Sequence, residues 1–149
     1  MAPLVLSATL YRQIEREGSA AFPNECCGIL FGHDRGGRRV VSRLQAVPNV
    51  YDAAERYHRF SIDAKQLMDA EKSAAAAGEM VLGFYHSHPD HPARPSETDR
   101  AAGWPFYSYV IVSIMSRQPA AMTSWVLNES TEQFEEQPIV QEEIEGRTP

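Results

Sequence analysis

The stretch from residue 80 to residue 100 constrains the fold of this chain most strongly. It reads MVLGFYHSHPDHPARPSETDR, so an apolar run leads directly into three of the chain's five histidines and then into a segment with three prolines. The apolar run has the composition of a buried strand, and the prolines stiffen the loop that follows it. SETD has the pattern of a helix start. The stretch therefore predicts a strand, a loop and a helix in that order.

The segments before this stretch predict more strands and a helix. PLVLS is a short strand, and Ser7 caps a helix that runs to roughly Ala21. ECCGILFGHD has the composition of a buried strand that ends at Gly32, which places Glu25 at the beginning of that strand. The glycine pair at 36–37 predicts a hairpin turn into RRVVSRLQAV.

The rest of the chain completes an α/β fold with a mixed β-sheet flanked by at least two helices. RYHRFSI predicts a strand, and the next 16 residues, DAKQLMDAEKSAAAAG, predict a helix capped by Ser61 or Asp63 and ended by Gly78. YSYVIVSI, AAMTSWVL and EQFEEQPIV predict further strands. At 149 residues the chain fits one domain, which we place at 1–141, followed by a flexible acidic tail at 142–149.

Charge and hydropathy exclude several classes of protein. The net charge of -6 disfavours a general affinity for nucleic acid or for anionic membranes. The longest apolar runs are too short to cross a bilayer. The first residues lack the basic start and the cleavage site of a secretory signal, so a cytoplasmic location is expected. The adjacent Cys26 and Cys27 are expected to be reduced, buried and outside any zinc site.

The two histidines of HSH are the first candidate ligands. Residues two apart on a strand project from the same face, so His86 and His88 form a pair of nitrogen ligands while Ser87 turns away. The loop at 89–95 is long enough to bring Asp99, at the start of the next helix, toward them. Two imidazoles and one carboxylate suit Zn²⁺ with a fourth position open for water, as in a hydrolytic site.

Each of these residues also has a plain structural explanation. A His-x-His pair alone is a weak signal. Ser96 and Asp99 match a capping box, which explains SETD without any chemistry. Glu25 fits an ordinary carboxylate at a strand edge, and His91 fits a solvated loop residue.

The combination of motifs is more specific than any one of them. The chain resembles the JAMM (MPN+, JAB domain) zinc metallopeptidases in the order and spacing of these residues. Their signature is matched by the Glu of ECCG, followed later by HSH, seven residues, Ser96, two residues and Asp99. Three longer segments also resemble sequences of this family: ECCGILFG, GFYHSHP and WPFYSYVIVS. The third segment resembles the compact bacterial branch in particular. The resemblance covers roughly residues 4–127.

The resemblance implies a cytidine-deaminase-like JAB/MPN fold and a role for each matched residue. His86, His88 and Asp99 would bind zinc, Glu25 would act as general acid and base, and Ser96 would stabilise the oxyanion. The implied activity is hydrolysis of the peptide or isopeptide bond after the C-terminal Gly-Gly of a small ubiquitin-like or sulfur-carrier protein, for example the release of cysteine from a carrier. Cleavage of ubiquitin chains is not expected, because the chain is too short for the large inserted segments that grip ubiquitin.

Two other functions and the oligomeric state stay open at this point. Related domains without the full ligand set serve as metal-free scaffold modules, and a DNA-repair-associated JAB branch shares the ligand pattern. The complete ligand set disfavours the first, and the net charge disfavours the second. A homodimer is one state compatible with the sequence. A free sheet edge beside GFYHSH is expected to pair with a substrate tail.

Overall fold

A computed structural model describes residues 1–48 and 64–142 of the chain. Their helices and strands are, in chain order, β1 (Leu4–Leu6), α1 (Ala8–Ala21), β2 (Cys27–Arg35), β3 (Arg38–Val47), α2 (Ala64–Ala76), β4 (Met80–Pro89), α3 (Glu97–Ala102), β5 (Ser108–Met115), β6 (Gln118–Asn128), β7 (Gln133–Gln137) and β8 (Ile139–Gln141). The predicted strand RYHRFSI, both predicted caps of α2 and the predicted tail from residue 143 onward lie outside the described residues.

The described strands form one mixed sheet in the order β7-β6-β5-β4-β2-β3-β1-β8. β4 pairs with β2 in the antiparallel direction and with β5 in the parallel direction. The two outer strands, β7 and β8, are separated in sequence by Pro138 alone, so the sheet curls until its edges meet there. The predicted mixed sheet with flanking helices is confirmed.

Two apolar cores lie on opposite faces of this sheet. α1 covers one face, where Ile14 packs with Leu82, Tyr85 and Val112. α2 covers the other face with its small residues Ala70 and Ala74, which pack against residues that include Ile29, Phe31 and Phe84. Because strand side chains alternate between faces, neighbours such as Phe84 and Tyr85 belong to different cores.

Local signals for the helix and turn boundaries are confirmed. Ser7 is the N-cap of α1, and its hydroxyl accepts a hydrogen bond from the Leu10 backbone N–H at 3.2 Å. Gly78 has φ +73°, a left-handed conformation that suits glycine after a helix end, two residues beyond the end of α2. The hairpin at 36–37 connects β2 to β3 as expected.

The prediction that the second strand ends at Gly32 was wrong, because β2 continues to Arg35. Gly32 lies where the register between β2 and β3 shifts, which is the mark of a β-bulge. A Cβ atom at this position would lie 2.0 Å from the carbonyl oxygen of Val40. Glycine therefore allows the close approach of two strands here, and it does not terminate one.

The expectation of a free sheet edge beside GFYHSH was also wrong. β4 is an interior strand: β5 pairs with it from Gly83 to Pro89, and β2 pairs with it from Met80 to His86. Interior strands have their backbone groups already bonded, so a substrate tail cannot add to β4 along 83–86. β4 lies near the centre of the sheet, and its side chains are buried on both faces from Val81 to Pro89.

Both cysteines have free thiols, as expected. Cys27 is buried and its Sγ donates to the carbonyl oxygen of Val47 at 3.3 Å, whereas Cys26 is only half-buried. Burial raises the pKa of Cys26 to about 11 and that of Cys27 to about 12. The thiolate forms that react and bind metals are therefore scarce at neutral pH. No helix in the described part of the chain has both the length and the apolar character needed to cross a membrane.

Candidate active site

β4 presents His86 and His88 on the face of the sheet that also carries Phe84, while Ser87 turns to the other side, as the strand period predicts. Both rings are buried: His86 is 1% exposed and His88 is 8% exposed. The Ser87 hydroxyl accepts a hydrogen bond from the Cys26 backbone N–H at 2.8 Å. This bond holds the start of β2, and with it Glu25, beside the end of β4.

Asp99 reaches the two histidines from the first turn of α3. Its Oδ1 lies 3.3 Å from His86 Nε2, and its Oδ2 lies 3.2 Å from His88 Nε2. The two Nε2 atoms are themselves 3.0 Å apart. The structure therefore brings together the three residues that the sequence pattern singles out, and their ligand atoms form one cluster.

This cluster fits a small metal ion. In a tetrahedral zinc site with bonds of about 2.0–2.1 Å, the ligand atoms lie roughly 3.3 Å from one another. The three separations in the cluster are close to that value. In addition, His88 Nδ1 lies 2.9 Å from the carbonyl oxygen of Pro92. Donation of that ring N–H to a backbone carbonyl leaves the Nε2 lone pair facing the cluster, an arrangement typical of metal-bound histidines.

The cluster also has the charge distribution of a cation site. Burial would raise the pKa of Asp99, but His86 and the hydrogen bonds from both rings and from the Ser96 backbone hold it well below its usual range. Burial lowers the pKa of His86. For His88, burial opposes the charged form, yet the hydrogen bonds to Asp99 and to the Pro92 carbonyl raise the pKa overall. The carboxylate is therefore ionised at neutral pH and is available as a ligand.

Glu25 lies two residues before β2 and is 7% exposed. With His88 and Ser96 it lines a cavity of about 350 Å³ that opens onto the ligand cluster. Burial raises the pKa of Glu25 to about 8, while His88 opposes this rise and Asp99 adds to it. A cation bound to the cluster would favour the ionised form. Such a carboxyl group, with a pKa near neutrality, suits proton transfer.

Ser96 is the N-cap of α3, and both hydrogen bonds of the capping box are present. The Ser96 hydroxyl accepts from the Asp99 N–H at 3.0 Å, and Asp99 Oδ2 accepts from the Ser96 N–H at 2.8 Å. The capping explanation of SETD is therefore correct. It does not compete with the ligand explanation, because the same carboxylate also faces the two histidines.

The loop between β4 and α3 lines the cavity, and one of its lining residues, Arg94, was not singled out by the sequence. His91 is exposed and lies outside the ligand cluster, as expected, but it lines the cavity together with Pro89, Pro92 and Arg94. Arg94 carried no signal in the sequence, because one arginine in a polar loop is ordinary. Its place in the cavity wall depends on how the loop folds back over the sheet.

Comparison with known proteins places this geometry in a family. The family model "Prokaryotic homologs of the JAB domain" matches residues 7–128. A protein of Haloferax volcanii named desampylase is 39% identical over 107 residues, which is 70% of this chain and 74% of that protein. The CysO-cysteine peptidase of Mycobacterium tuberculosis is 29% identical over 115 residues, covering 74% of this chain and 73% of the peptidase.

Solved structures agree with the sequence comparison. A Desulfitobacterium hafniense protein superposes with a TM-score of 0.81 at 30% identity, with 97% of each chain covered. A JAB1/MPN domain protein of Archaeoglobus fulgidus has the same fold, with a TM-score of 0.57 at 20% identity over 93% of this chain and 99% of that one. The expected JAB/MPN fold is confirmed, and the expectation of a hydrolase is confirmed by the named peptidases. With its family match extending over most of the sequence, the chain belongs to the JAB-domain family, among its prokaryotic members.

Proposed function

We propose that this protein is a zinc-dependent peptidase that hydrolyses the bond after the C-terminal Gly-Gly of a small ubiquitin-like or sulfur-carrier protein. The observation that carries the proposal is the convergence of two imidazole nitrogens and one carboxylate within 3.0–3.3 Å, beside a cavity that a buried glutamate lines. Two nitrogens and one oxygen are a ligand set that hydrolytic zinc sites use, with one position left for water or substrate.

In the proposed mechanism, His86, His88 and Asp99 hold the metal. When bound, the metal supplies Lewis acidity, which polarises a carbonyl group and makes water more acidic. Glu25 accepts a proton from the attacking water and then delivers a proton to the leaving amine. The Ser96 hydroxyl donates a hydrogen bond to the oxyanion that develops on the carbonyl oxygen. Burial raises the pKa of Glu25 to about 8, and a cation bound to the cluster would shift it back toward the ionised form, which is the form that accepts the proton.

The names of the relatives support a protein-linked substrate. The desampylase and the CysO-cysteine peptidase are both named for acting on conjugates of small proteins. A Gly-Gly terminus suits a buried ligand cluster, because glycine has no Cβ and lets a backbone carbonyl approach closely. His86 and His88 are almost fully buried, so a thin, extended chain is the shape best suited to bring its carbonyl group to the metal position beside their Nε2 atoms.

The substrate proposal predicts selective cleavage after Gly-Gly. A folded carrier that ends in Gly-Gly and carries one added residue should be converted to the form that ends in Gly-Gly, as followed by mass spectrometry. The same carrier with Ala-Ala in place of Gly-Gly should react at least about 10-fold more slowly, because the added methyl groups widen the tail. Equal cleavage of both carriers would refute the selectivity for a thin tail.

The capping box makes Ser96 a residue with two separable effects. Ser96→Ala removes an N-cap, which should cost about 0.5–2 kcal/mol in the free energy of unfolding. If the hydroxyl also donates to the oxyanion, turnover of the folded variant should fall by about 10² to 10³. Thermal melting and kcat, measured on the same sample, separate the two effects. A variant that melts lower but turns over at nearly the wild-type rate would leave Ser96 with the capping role alone.

A further inference from the structure

Three consecutive backbone carbonyls hold the loop between β4 and α3 in place. The carbonyl oxygen of His91 accepts a hydrogen bond from Ser113 Oγ at 2.6 Å, and that of Ala93 accepts from Thr123 Oγ1 at 2.6 Å. Between them, the Pro92 carbonyl oxygen lies 2.9 Å from His88 Nδ1. The partners belong to β5, β6 and β4, so three strands of the sheet fix the path of this loop. The backbone that carries Arg94 to the cavity is therefore held by the sheet.

Arg94 follows directly after these three residues. It is exposed, and it lines the active-site cavity together with Glu25, His88 and Ser96. Among the described residues that line this cavity, Arg94 is the only lysine or arginine. Within 1–48 and 64–142, its guanidinium has no hydrogen bond or ion pair with another side chain. A permanent positive charge thus lies at the rim of the site with its donors available for a ligand.

We propose that Arg94 binds a carboxylate of the substrate, namely the α-carboxylate of a leaving group that is a single amino acid. This inference rests on the proposed function and names the class of adduct that the site prefers. A guanidinium binds a carboxylate through two parallel N–H···O bonds. On the carrier side of the scissile bond, Gly-Gly has no charge to offer. On the leaving side, the α-carboxylate is separated from the scissile nitrogen by one carbon atom.

The same chemistry discriminates between two kinds of carrier conjugate. In an isopeptide, the scissile nitrogen is the end of a lysine side chain and has no carboxylate close to it. In a carrier extended by one amino acid, the scissile nitrogen is an α-amine with the carboxylate beside it. Arg94 therefore favours single amino acid adducts over isopeptide-linked proteins. The carboxylate is bound without any covalent step beyond the hydrolysis already described.

The test compares two substrates that differ only in this charge. One is a folded carrier that ends in Gly-Gly-Ala with a free carboxylate, and the other is the same carrier with a C-terminal carboxamide. The wild-type protein is expected to show a kcat/KM about 10- to 100-fold higher for the carboxylate form, which is the usual contribution of a hydrogen bond to a charged group. Arg94→Gln should bring this ratio close to 1 by slowing the carboxylate form alone, and Arg94→Lys should restore part of it.

Arg12→Gln is the matched control, because Arg12 is an exposed arginine on α1, which covers the other face of the sheet. It makes the same change in net charge and should leave the ratio unchanged. A wild-type ratio near 1, or an Arg94→Gln variant that slows both substrates equally, would overturn the proposal.

A binding measurement keeps this outcome separate from the outcome for the proposed function. If neither carrier is hydrolysed, the proposed function fails, and the dissociation constants of the two carriers are compared directly by calorimetry. Tighter binding of the carboxylate form that Arg94→Gln abolishes would uphold the carboxylate site. Equal binding of the two forms by the wild-type protein would overturn it.

Discussion

Replacing Glu25 with glutamine is expected to lower kcat by about 10² to 10⁴, the usual contribution of a general acid–base group. The side chain keeps its size but can no longer accept and release the proton. Because Glu25 lies outside the cluster of His86, His88 and Asp99, the variant should retain the metal content of the wild-type protein. Elemental analysis and steady-state kinetics on one preparation measure both quantities.

Glu15→Gln is a suitable control for this variant. Glu15 lies on α1, on the other face of the sheet from the histidines, so the substitution changes the net charge by the same amount without touching the cavity. Its kcat should stay within about two-fold of the wild-type value. A Glu25→Gln protein that loses its metal would show that Glu25 is a ligand and not a proton carrier.

Removal of one metal ligand should lower kcat even more than Glu25→Gln does. His88→Ala deletes one of the two ring nitrogens of the cluster and is expected to lose both the metal and measurable turnover. The same substitution should remove the stabilisation that bound metal gives the wild-type protein. At a free zinc concentration of 100 times Kd this stabilisation is about 2.7 kcal/mol, so zinc should raise the melting temperature of the wild-type protein only.

His91→Ala provides the comparison for metal content. His91 lies in the same loop, but its side chain is exposed and stands outside the cluster, so the variant should bind about one zinc per chain, like the wild type. Wild-type protein that neither contains zinc after purification nor binds it on titration would contradict the peptidase proposal. In that case a metal-free scaffold would become the better explanation of the fold.

The sequence by itself determined the local geometry of this protein. The spacing of His86 and His88 on a strand placed both rings on one face of the sheet. Ser7 marked the start of α1, and Gly78 marked the end of α2. These features depend on residues that are neighbours along the chain, through the strand period, hydrogen bonding at a cap and the conformational freedom of glycine. Their outcome is therefore nearly independent of what packs around them.

The roles of Ser96 and Asp99 could be read only in part from the sequence. The motif allowed a capping box or a metal ligand, and the structure contains the geometry of both. Asp99 has two oxygens: Oδ2 accepts from the Ser96 N–H and also faces His88, while Oδ1 faces His86. Only the position of α3 relative to β4 brings these partners to one carboxylate, and that position depends on the packing of the whole sheet.

Only the tertiary structure decided which strands are interior and which residues the loop between β4 and α3 brings to the cavity. β4 became an interior strand because β2 and β5 pair with it from either side, which removed the expected free edge. The loop that carries Arg94 is fixed by bonds such as that from Thr123 to the carbonyl of Ala93, 30 positions away in sequence. Backbone carbonyls are identical in every residue, so no pattern of side chains predicts which carbonyl a distant hydroxyl will bind. They follow from the order of the strands, which is a property of the complete fold.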